Sequence, residues 1–383
     1  MKCKWQIKKL SEIVDFNPRE SLPKGRIAKK IGMDKLQPFC RDIMSYENEP
    51  FTSGAKFRNG DTIMARITPC LENGKIAKVN ILDEGEIGFG STEYIVFRAK
   101  EGIDTDYLYY LVCSSIVREP AIKSMVGSSG RQRVQTDVLR NLDIKVPSVE
   151  EQKVISGILR DLDDKIKLNN TINNNLEQQD QSIYKQMFID NASSDWMEGT
   201  LSDIADITMG QSPSSSSYNE DRNGIIFFQG RAEFGFRFPT VRLYTTEPKR
   251  MACANDTLMS VRAPVGDLNV AHTDCCIGRG LAAIHSKDNH QAFVLYTMFS
   301  LKKQLDVFNG EGTVFGSINR ISLNEMPLLI PSSEKLDKFE VLVSPIDAAI
   351  RNNYDEICYL KQLRDSLLPK LMSGELDISN IDF

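Results

Sequence analysis

The side chains best suited to chemistry form a polar segment at residues 127–133, Gly-Ser-Ser-Gly-Arg-Gln-Arg. Each arginine presents a planar fork of N–H donors, and the glutamine presents a donor beside an acceptor. Such groups bond bidentately to guanine or adenine edges, or grip phosphates. The segment therefore predicts a nucleic-acid contact, although an ordinary connecting loop is equally rich in Gly and Ser. The candidates are Ser128, Ser129, Arg131, Gln132 and Arg133.

Further polar candidates occur in other predicted loops. The segment 310–317 is rich in glycine and hydroxyl groups, a basic run occupies 24–30, and a Gly-Gln-Ser-Pro string begins at residue 210. These groups can contact bases or the DNA backbone. The further candidates are Lys24, Arg26, Lys29, Lys30, Arg66, Gln211, Ser212, Ser214, Arg231, Arg262, Arg279, Thr313 and Phe315.

Metal chemistry is poorly supported by the sequence. The chain has 8 cysteines but only 3 histidines, and no two cysteines form a C-x-x-C pair. His272, Cys275 and Cys276 form the densest group, but their spacing matches no zinc-ligand pattern. Small buried thiols that act as apolar core residues explain them better. We therefore predict no metal site.

Catalytic motifs are also missing. The sequence has no G-x-x-x-x-G-K-[ST] segment, no G-x-G-x-x-G that opens a strand–helix unit, and no G-x-S-x-G nucleophile. Asn17-Pro18 continues as Arg19-Glu20 and so lacks the aromatic residue of amino-methyltransferase motifs. Glu151-Gln152-Lys153 resembles the end of a nuclease metal site, but it lies in the first turn of a predicted helix. We predict no catalytic residues.

Length and composition bound the class of protein. A chain of 383 residues has room for two or three domains, and its 41% hydrophobic and 26% charged residues are ordinary for a globular protein. No apolar run reaches the length of a membrane-spanning helix, and the N-terminus lacks an apolar leader. We therefore expect a cytoplasmic protein without membrane contact.

The formal charge of −5 is unevenly distributed. Residues 1–148 hold 24 Lys+Arg and 19 Asp+Glu, a net charge of +5, whereas residues 196–332 hold 12 and 14, a net charge of −2. Segments 149–195 and 333–383 each carry a net charge of −4. Much of the acidity thus lies in segments that need not touch nucleic acid. The second globular segment is not basic, which argues against nucleic-acid binding by that half.

The elements that must position these side chains are duplicated. Residues 134–148, VQTDVLRNLDIKVPS, match residues 318–332, INRISLNEMPLLIPS, at an offset of 184 that continues to Leu176 and Leu360. Earlier segments match at drifting offsets, such as residues 10–13 with 201–204 and residues 87–90 with 277–280. Two such copies indicate a pseudo-two-fold duplication, with loops of different length on one scaffold.

Each copy ends in a predicted long helix. Apolar residues recur at three- and four-residue steps through 155–187 and 339–371, in a heptad-like seam. Asn169, Asn173 and Asn353 lie midway, where a buried Asn sets helix register and partner. We expect the two helices, each about 60 Å long, to pack on each other. Pro345 should interrupt the second helix, which would restart after Ser344. The alternative is a bundle without a spacer role.

The globular segments contain short strand-like runs, such as 63–67 and 94–98, and a predicted helix over 106–118. The sequence thus predicts an α+β fold with two repeated, strand-rich globular domains. Two long antiparallel helices that form a coiled coil separate these domains. The domains cover residues 1–148 and 196–332, and the helical segments cover residues 149–195 and 333–383.

Several strings occur in a set order along the chain. They include Gly210-Gln211-Ser212-Pro213-Ser214, Asn255-Asp256-Thr257-Leu258-Met259-Ser260-Val261-Arg262, Ile277-Gly278-Arg279-Gly280-Leu281-Ala282 and Leu368-Pro369-Lys370-Leu371-Met372-Ser373-Gly374-Glu375-Leu376. In this order, and with the duplication, nearly the whole chain resembles the specificity subunits of type I restriction-modification systems. The first copy departs most, because Asn17-Pro18-Arg19 replaces its Gly-Gln-Ser-Pro-Ser string.

The resemblance implies a non-catalytic subunit in which each globular domain, a target-recognition domain, reads half of a bipartite, asymmetric double-stranded DNA site. The helices would set the spacing and dock two methyltransferase subunits, and through these the restriction and translocase subunits. No cofactor is expected on this chain, since S-adenosylmethionine, ATP and Mg would bind only the partners. The alternatives are a duplicated DNA-modifying enzyme with an unrecognised site and an adaptor that contacts proteins only.

Overall fold

The computed structural model describes residues 5–128, 130–310, 316–376 and 378. The chain forms two compact units, residues 1–170 with 354–383 and residues 171–353. Each unit combines one globular head with part of each long helix. The predicted helical segments 149–195 and 333–383 begin where these helices begin. The predicted division into four segments therefore follows chain order, whereas each compact unit draws on two separate stretches of helix.

The first head contains short strands and helices that lead into the first long helix. The strands are β1 (Gln6–Lys9), β2 (Val14–Phe16), β3 (Ile27–Ile31), β4 (Glu47–Pro50), β5 (Lys56–Phe57), β6 (Thr62–Ala65), β7 (Ile76–Lys78), β8 (Gly88–Gly90), β9 (Tyr94–Ala99) and β10 (Asp143–Val146). The helices are α1 (Leu10–Ile13), α2 (Thr105–Cys113), α3 (Ser115–Lys123), α4 (Thr136–Arg140) and the long helix α5 (Val149–Tyr184), which ends in a π-helical segment, Lys185–Asp190.

The second head repeats this sequence of elements. Its strands are β11 (Met197–Thr200), β12 (Ala205–Met209), β13 (Tyr218–Asn219), β14 (Ile225–Phe228), β15 (Leu243–Thr245), β16 (Met251–Ala252), β17 (Thr257–Ser260), β18 (Leu268–Val270), β19 (Cys275–Ile277), β20 (Leu281–Ser286) and β21 (Pro327–Ile330). Its helices are α6 (Leu201–Ile204), α7 (Gln291–Ser300), α8 (Lys302–Leu305), α9 (Arg320–Asn324) and the long helix α10 (Ser333–Ser373).

The sheets of the two heads share one strand order, which confirms the predicted duplication. The order β2-β9-β6-β7 recurs as β12-β20-β17-β18, and β4-β3-β8-β5 recurs as β15-β14-β19-β16 with β13 added at the edge. A two-stranded sheet, β1-β10 or β11-β21, lies where each head meets its helix. The predicted α+β fold with repeated heads and long helices is thus confirmed.

Hydrogen-bond register corrects one predicted match between the repeats. Phe89 pairs with Lys30 of β3 and with Lys56 of β5. The residue at the equivalent position of the second head is Cys276, which pairs with Phe227 of β14 and with Met251 of β16. Gly90 therefore corresponds to Ile277, so the expected match of residues 87–90 with 277–280 is wrong by three positions. The two similar Gly-x-Gly strings produced that error, because a short string can match without sharing strand partners.

The core of the first head lies beneath α2, whose residues from Tyr107 to Val112 are all buried. Asp104 begins this helix by accepting a hydrogen bond from the Tyr107 amide. The predicted helix over 106–118 is in fact two helices, since Ser114 adopts an extended conformation between α2 and α3. The buried face of α2 joins Ile155 of α5 and Leu371 of α10 in one apolar cluster.

The long helices pair in antiparallel fashion within each unit, as predicted. In the first unit the Asn169 amide donates to the Glu356 carboxylate at 2.7 Å, beside the apolar cluster of Ile166 and Ile357. In the second unit the buried Asn173 donates to the Ile350 carbonyl at 3.3 Å and accepts from Asn353 at 2.8 Å. The predicted midway asparagines thus contact the opposite helix and can set its register.

Pro345 does not interrupt α10, which runs without a break from Ser333 to Ser373. Proline removes a single backbone N–H, and packing on both sides of it offsets that loss. Val343 and Ile350, which flank it, are both fully buried. The expected restart at Ser344 is therefore wrong, and the Ser344 hydroxyl instead donates to the Glu340 carbonyl at 2.6 Å.

No helix in the described part of the chain is long and apolar enough to cross a membrane.

Candidate nucleic-acid interface

In the second head, several loops converge on the turn 278–280, which lies between β19 and β20. The Gln211 amide donates to the Ile277 carbonyl at 3.0 Å, and the Arg279 amide donates to the Ser212 hydroxyl at 3.3 Å. The Val261 amide donates to the Gly280 carbonyl at 3.0 Å. Glycine is needed at residue 278, because a Cβ there would lie 2.8 Å from the Gln229 carbonyl oxygen. Ends of β12, β14 and β17 therefore meet at one point.

This convergence brings together most of the residues predicted for the second head. Gln211 and Arg279 are exposed on adjoining loops, and Arg262 is exposed next to Val261. Arg231 lies two residues after Gln229 in the chain. It forms an ion pair with Asp267, and Lys302 contacts the same carboxylate at 3.4 Å. The shared location offers both donors and acceptors, which is the chemistry that base edges and phosphates require.

Ser214 lies farther along the same loop, where its hydroxyl and that of Ser216 are 2.7 Å apart.

In the first head, the turn 91–93 between β8 and β9 is equivalent to the turn 278–280 of the second head. The Arg66 amide donates to the Glu93 carbonyl at 2.9 Å, in the same way that Val261 contacts Gly280. The Thr68 amide donates to the Gln132 carbonyl at 3.1 Å, and the Gln132 amide donates to the Thr68 hydroxyl at 3.1 Å. These bonds hold the 127–133 loop beside the end of β6, so Arg66 and the loop candidates lie together.

One carboxylate organises the arginines of this place. Glu93 accepts from Arg133 at 2.7 to 3.1 Å and from Arg66 at 3.2 Å. Hydrogen bonds from Arg133, and then from Arg66, lower the pKa of Glu93 below its ordinary value despite partial burial. Glu93 therefore stays ionised and orients both guanidinium groups. Arg131 and Ser128 are exposed on the same loop.

The basic run at 24–30 is not brought to this place. Lys24 and Arg26 precede β3, which runs parallel to β8, whereas the turn 91–93 follows the C-terminal end of β8. The two sets therefore lie at opposite ends of that sheet. Lys29 is buried and bonds with Asp83 and Glu86 at 3.0 Å, and Lys30 bonds with Glu49 at 2.9 Å. Both lysines are thus committed to carboxylates of the head itself.

Three predicted residues, Ser129, Thr313 and Phe315, lie outside the described part of the chain.

The structure adds residues that the sequence reasoning missed. Gln229 directly follows β14 and lies against the turn 278–280. In the first head, Arg19, Lys56 and Tyr94 line a cleft together with Arg66. A carboxamide or a cation close to a strand end is the available signal in the sequence, but strand order is needed to choose among many such positions.

The two cysteines of the predicted cluster are part of a buried strand. Cys275 and Cys276 are buried in β19, and burial raises the pKa of the Cys275 thiol to about 12. The thiol is therefore protonated at neutral pH. Among the described residues, no group of three His, Cys, Asp or Glu side chains is positioned to hold a metal ion.

Comparison with known proteins gives a consistent family. The model of the type I restriction modification DNA specificity domain matches twice, at residues 2–178 and 193–353. The "Putative type I restriction enzyme MjaX specificity subunit" of Methanocaldococcus jannaschii is 32% identical over 355 residues, which cover 85% of this chain and 80% of the relative. The MjaIX specificity subunit of the same organism is 24% identical, covering 98% and 94%.

A solved structure agrees at the level of the fold. The S subunit of a type I restriction-modification system from M. genitalium has a TM-score of 0.57 at 16% identity, covering 97% of this chain and 96% of that one. The comparisons offer no support for a duplicated DNA-modifying enzyme. The chain belongs to the type I restriction-modification specificity family, and it is a DNA sequence-specificity subunit, which recognises DNA and has no catalytic role.

Proposed function

We propose that each head reads one half of a bipartite, asymmetric double-stranded DNA site. The observation that carries this proposal is the shared strand order, which directs polar loops to an equivalent turn in each head. The side chains at equivalent positions differ, with Glu93 and Arg66 in the first head and Gly280 and Val261 in the second. Equal scaffolds with unequal side chains suit two different half-sites.

In the first head, Arg66, Arg131, Gln132 and Arg133 are the residues that we assign to DNA contact. Arginine and glutamine can each bond bidentately to purine edges, and Ser128 can contact a phosphate. In the second head we assign Gln211, Ser212, Arg262 and Arg279, which surround the turn 278–280. Arg231 contributes if DNA displaces its Asp267 partner.

The long helices set the separation of the half-sites and dock two methyltransferase subunits. Restriction and translocase subunits join through these. Exposed apolar side chains on the helices, such as Val341, Leu342 and Tyr359, are available for such docking. S-adenosylmethionine, ATP and Mg bind those partners in this proposal. The cytoplasm, where DNA and partner subunits occur together, is the proposed location.

Methylome sequencing of cells that carry the complete system tests this assignment. We expect Arg131→Ala combined with Arg133→Ala to relax or abolish recognition of one half-site, and Arg279→Ala to affect the other half. Lys123→Ala, on the exposed face of α3, is the control and should leave the methylated sequence unchanged. Equal weakening of both halves by one variant would contradict the assignment. Methylation by the chain alone would contradict its non-catalytic role.

A further inference from the structure

A polar cleft of about 530 Å³ in the first head is lined by four chain segments. Arg19 enters it from the segment after β2, Lys56 from β5, and Arg66 from the end of β6. Because Arg66 also bonds to Glu93, the cleft adjoins the turn 91–93. It therefore lies within the surface assigned to DNA.

The cleft is electropositive. Its carboxylate Glu20 is held by Arg58 at 2.6 Å and Arg98 at 2.7 Å, with Arg98 shared with Asp61. Glu93, beside the cleft, is likewise held by two arginines. No described residue forms an ion pair with Arg19, and the Lys56 ammonium contacts the Glu20 carbonyl rather than a carboxylate. Positive charge thus remains unbalanced.

The polar groups that face the cleft are mostly donors. Arg19, Lys56 and Arg66 can only donate, and the side-chain oxygen of Asn17 already accepts a hydrogen bond from the Val96 amide. Tyr94 also lines the cleft and is 3% exposed. The three cations therefore favour an incoming hydrogen-bond acceptor.

The second head lacks this arrangement. By strand register, Met251 and Val261 stand where the first head has Lys56 and Arg66. Leu281 stands where the first head has Tyr94. Two of the three cations of the cleft are therefore absent at the equivalent positions. This difference accounts for part of the charge contrast between residues 1–148 and 196–332.

We infer that the cleft binds a backbone phosphate of the DNA, and that the first head therefore supplies more of the salt-dependent affinity than the second. The inference rests on the proposed DNA-reading function. A phosphate oxygen accepts hydrogen bonds and carries negative charge, so it matches a cleft of donors, whereas a base edge also presents donors. Contacts of this kind hold DNA in place without reading its sequence.

Salt titration of DNA binding by the assembled complex tests the inference. Lys56→Met installs the second-head residue, and Arg19→Gly removes another cation of the cleft. Each should reduce the slope of log affinity against log salt by about 0.9 for the lost phosphate contact, for cognate and unrelated DNA alike. The methylated sequence should not change. Lys145→Met, at an exposed position of β10, is the control for net charge and should leave the slope unaltered.

A methylphosphonate scan of the half-site read by the first head supplies the second measurement. One uncharged linkage should weaken the wild-type complex but not the Lys56→Met complex. Thermal unfolding checks that each variant folds, and Lys56→Gln replaces Lys56→Met if that variant does not. An unchanged slope with folded variants would overturn the inference, whereas a wild-type complex without salt-dependent DNA binding would overturn the proposed function instead. Stabilisation by inorganic phosphate that Lys56→Met removes, with an unchanged DNA slope, would identify free phosphate as the ligand.

Discussion

The carboxylate of Glu93 accepts three hydrogen bonds from the guanidinium of Arg133, at 2.7 to 3.1 Å. The Arg133 side chain stays 45% exposed, although one edge of its guanidinium is held by the protein. A charged, bidentate contact of this kind fixes the plane of the arginine. The geometry makes Glu93 a positioning residue for an arginine that faces the proposed DNA surface.

Glu93→Gln should therefore lower the specificity of one half-site while raising non-specific affinity. The amide removes a negative charge near DNA but no longer orients Arg133. A bidentate base contact is worth about 1–3 kcal/mol, so we expect the ratio of specific to non-specific affinity to fall roughly tenfold. Fluorescence anisotropy of the assembled complex measures both affinities. Glu119→Gln, on exposed α3, is the control. A parallel change in both affinities would contradict the positioning role.

We expect the stability of the second unit to depend on pH through the carboxyl group of Asp180. Its carboxylate accepts a hydrogen bond from the buried Tyr296 hydroxyl at 2.8 Å. The same region contains the buried Arg237, which forms ion pairs with Glu177 and Asp347. Burial, partly opposed by the Tyr296 bond, raises the pKa of Asp180 to about 7. The folded unit thus favours the protonated form. Stability from this group is present below pH 4 and is lost as pH rises to about 7.

Asp180→Asn keeps an acceptor for Tyr296 and removes the charge. We expect it to stabilise the second unit at pH 8 by about 2–4 kcal/mol, and to flatten the dependence of stability on pH between 4 and 7. Trp5 lies in the first unit and Trp196 in the second, so in a Trp5→Phe background urea unfolding monitored by tryptophan fluorescence reports the second unit. Asp161→Asn, an exposed change on α5, should have little effect. Equal pH profiles for the wild type and Asp180→Asn would refute the assignment.

Arg364 predicts a large stability effect in the first unit. Its guanidinium donates to the buried Asp163 at 2.7 Å, and the Tyr110 hydroxyl donates to the other oxygen of that carboxylate at 2.7 Å. Arg364→Met leaves the carboxylate without its cation and should cost about 3–5 kcal/mol. Fluorescence of Trp5 in a Trp196→Phe background reports this unit during urea unfolding. Asp163→Asn added to Arg364→Met should recover most of the loss, whereas additive losses would show that the pair does not interact.

We expect the length of the paired helices to set the length of the unread gap in the DNA site. Removal of one heptad from α5 and the facing heptad from α10 shortens each helix by about 10 Å, since each residue rises ~1.5 Å. Because DNA advances ~3.4 Å per base pair, the gap should shorten by about three base pairs. Methylome sequencing measures the gap directly. Alanine substitutions in the same heptads, without deletion, are the control. An unaltered gap in an active deletion complex would contradict the spacer role.

The sequence alone determined the features that depend on local periodicity. A heptad seam and its midway asparagines identified the long helices and their mutual packing, because every residue on one face of a helix recurs at a constant step. The repeat at an offset of 184 likewise aligned α5 with α10, where no loop intervenes. The break expected at Pro345 is absent, because burial of Val343 and Ile350 on either side outweighs the local preference of proline against a helix interior.

Only the tertiary structure decided which side chains meet. Glu93 is 40 residues from Arg133 and pairs with it because β9 and the 127–133 loop both lie against the end of β6. Lys29 and Arg133 look equally available in the printed sequence, yet one is buried against Asp83 and Glu86 and the other stays half-exposed. Sheet hydrogen bonds join segments that are far apart in the chain, so composition and spacing cannot reveal which side chains pair. The periodicity of a helix, in contrast, is visible in a stretch of sequence only a few turns long.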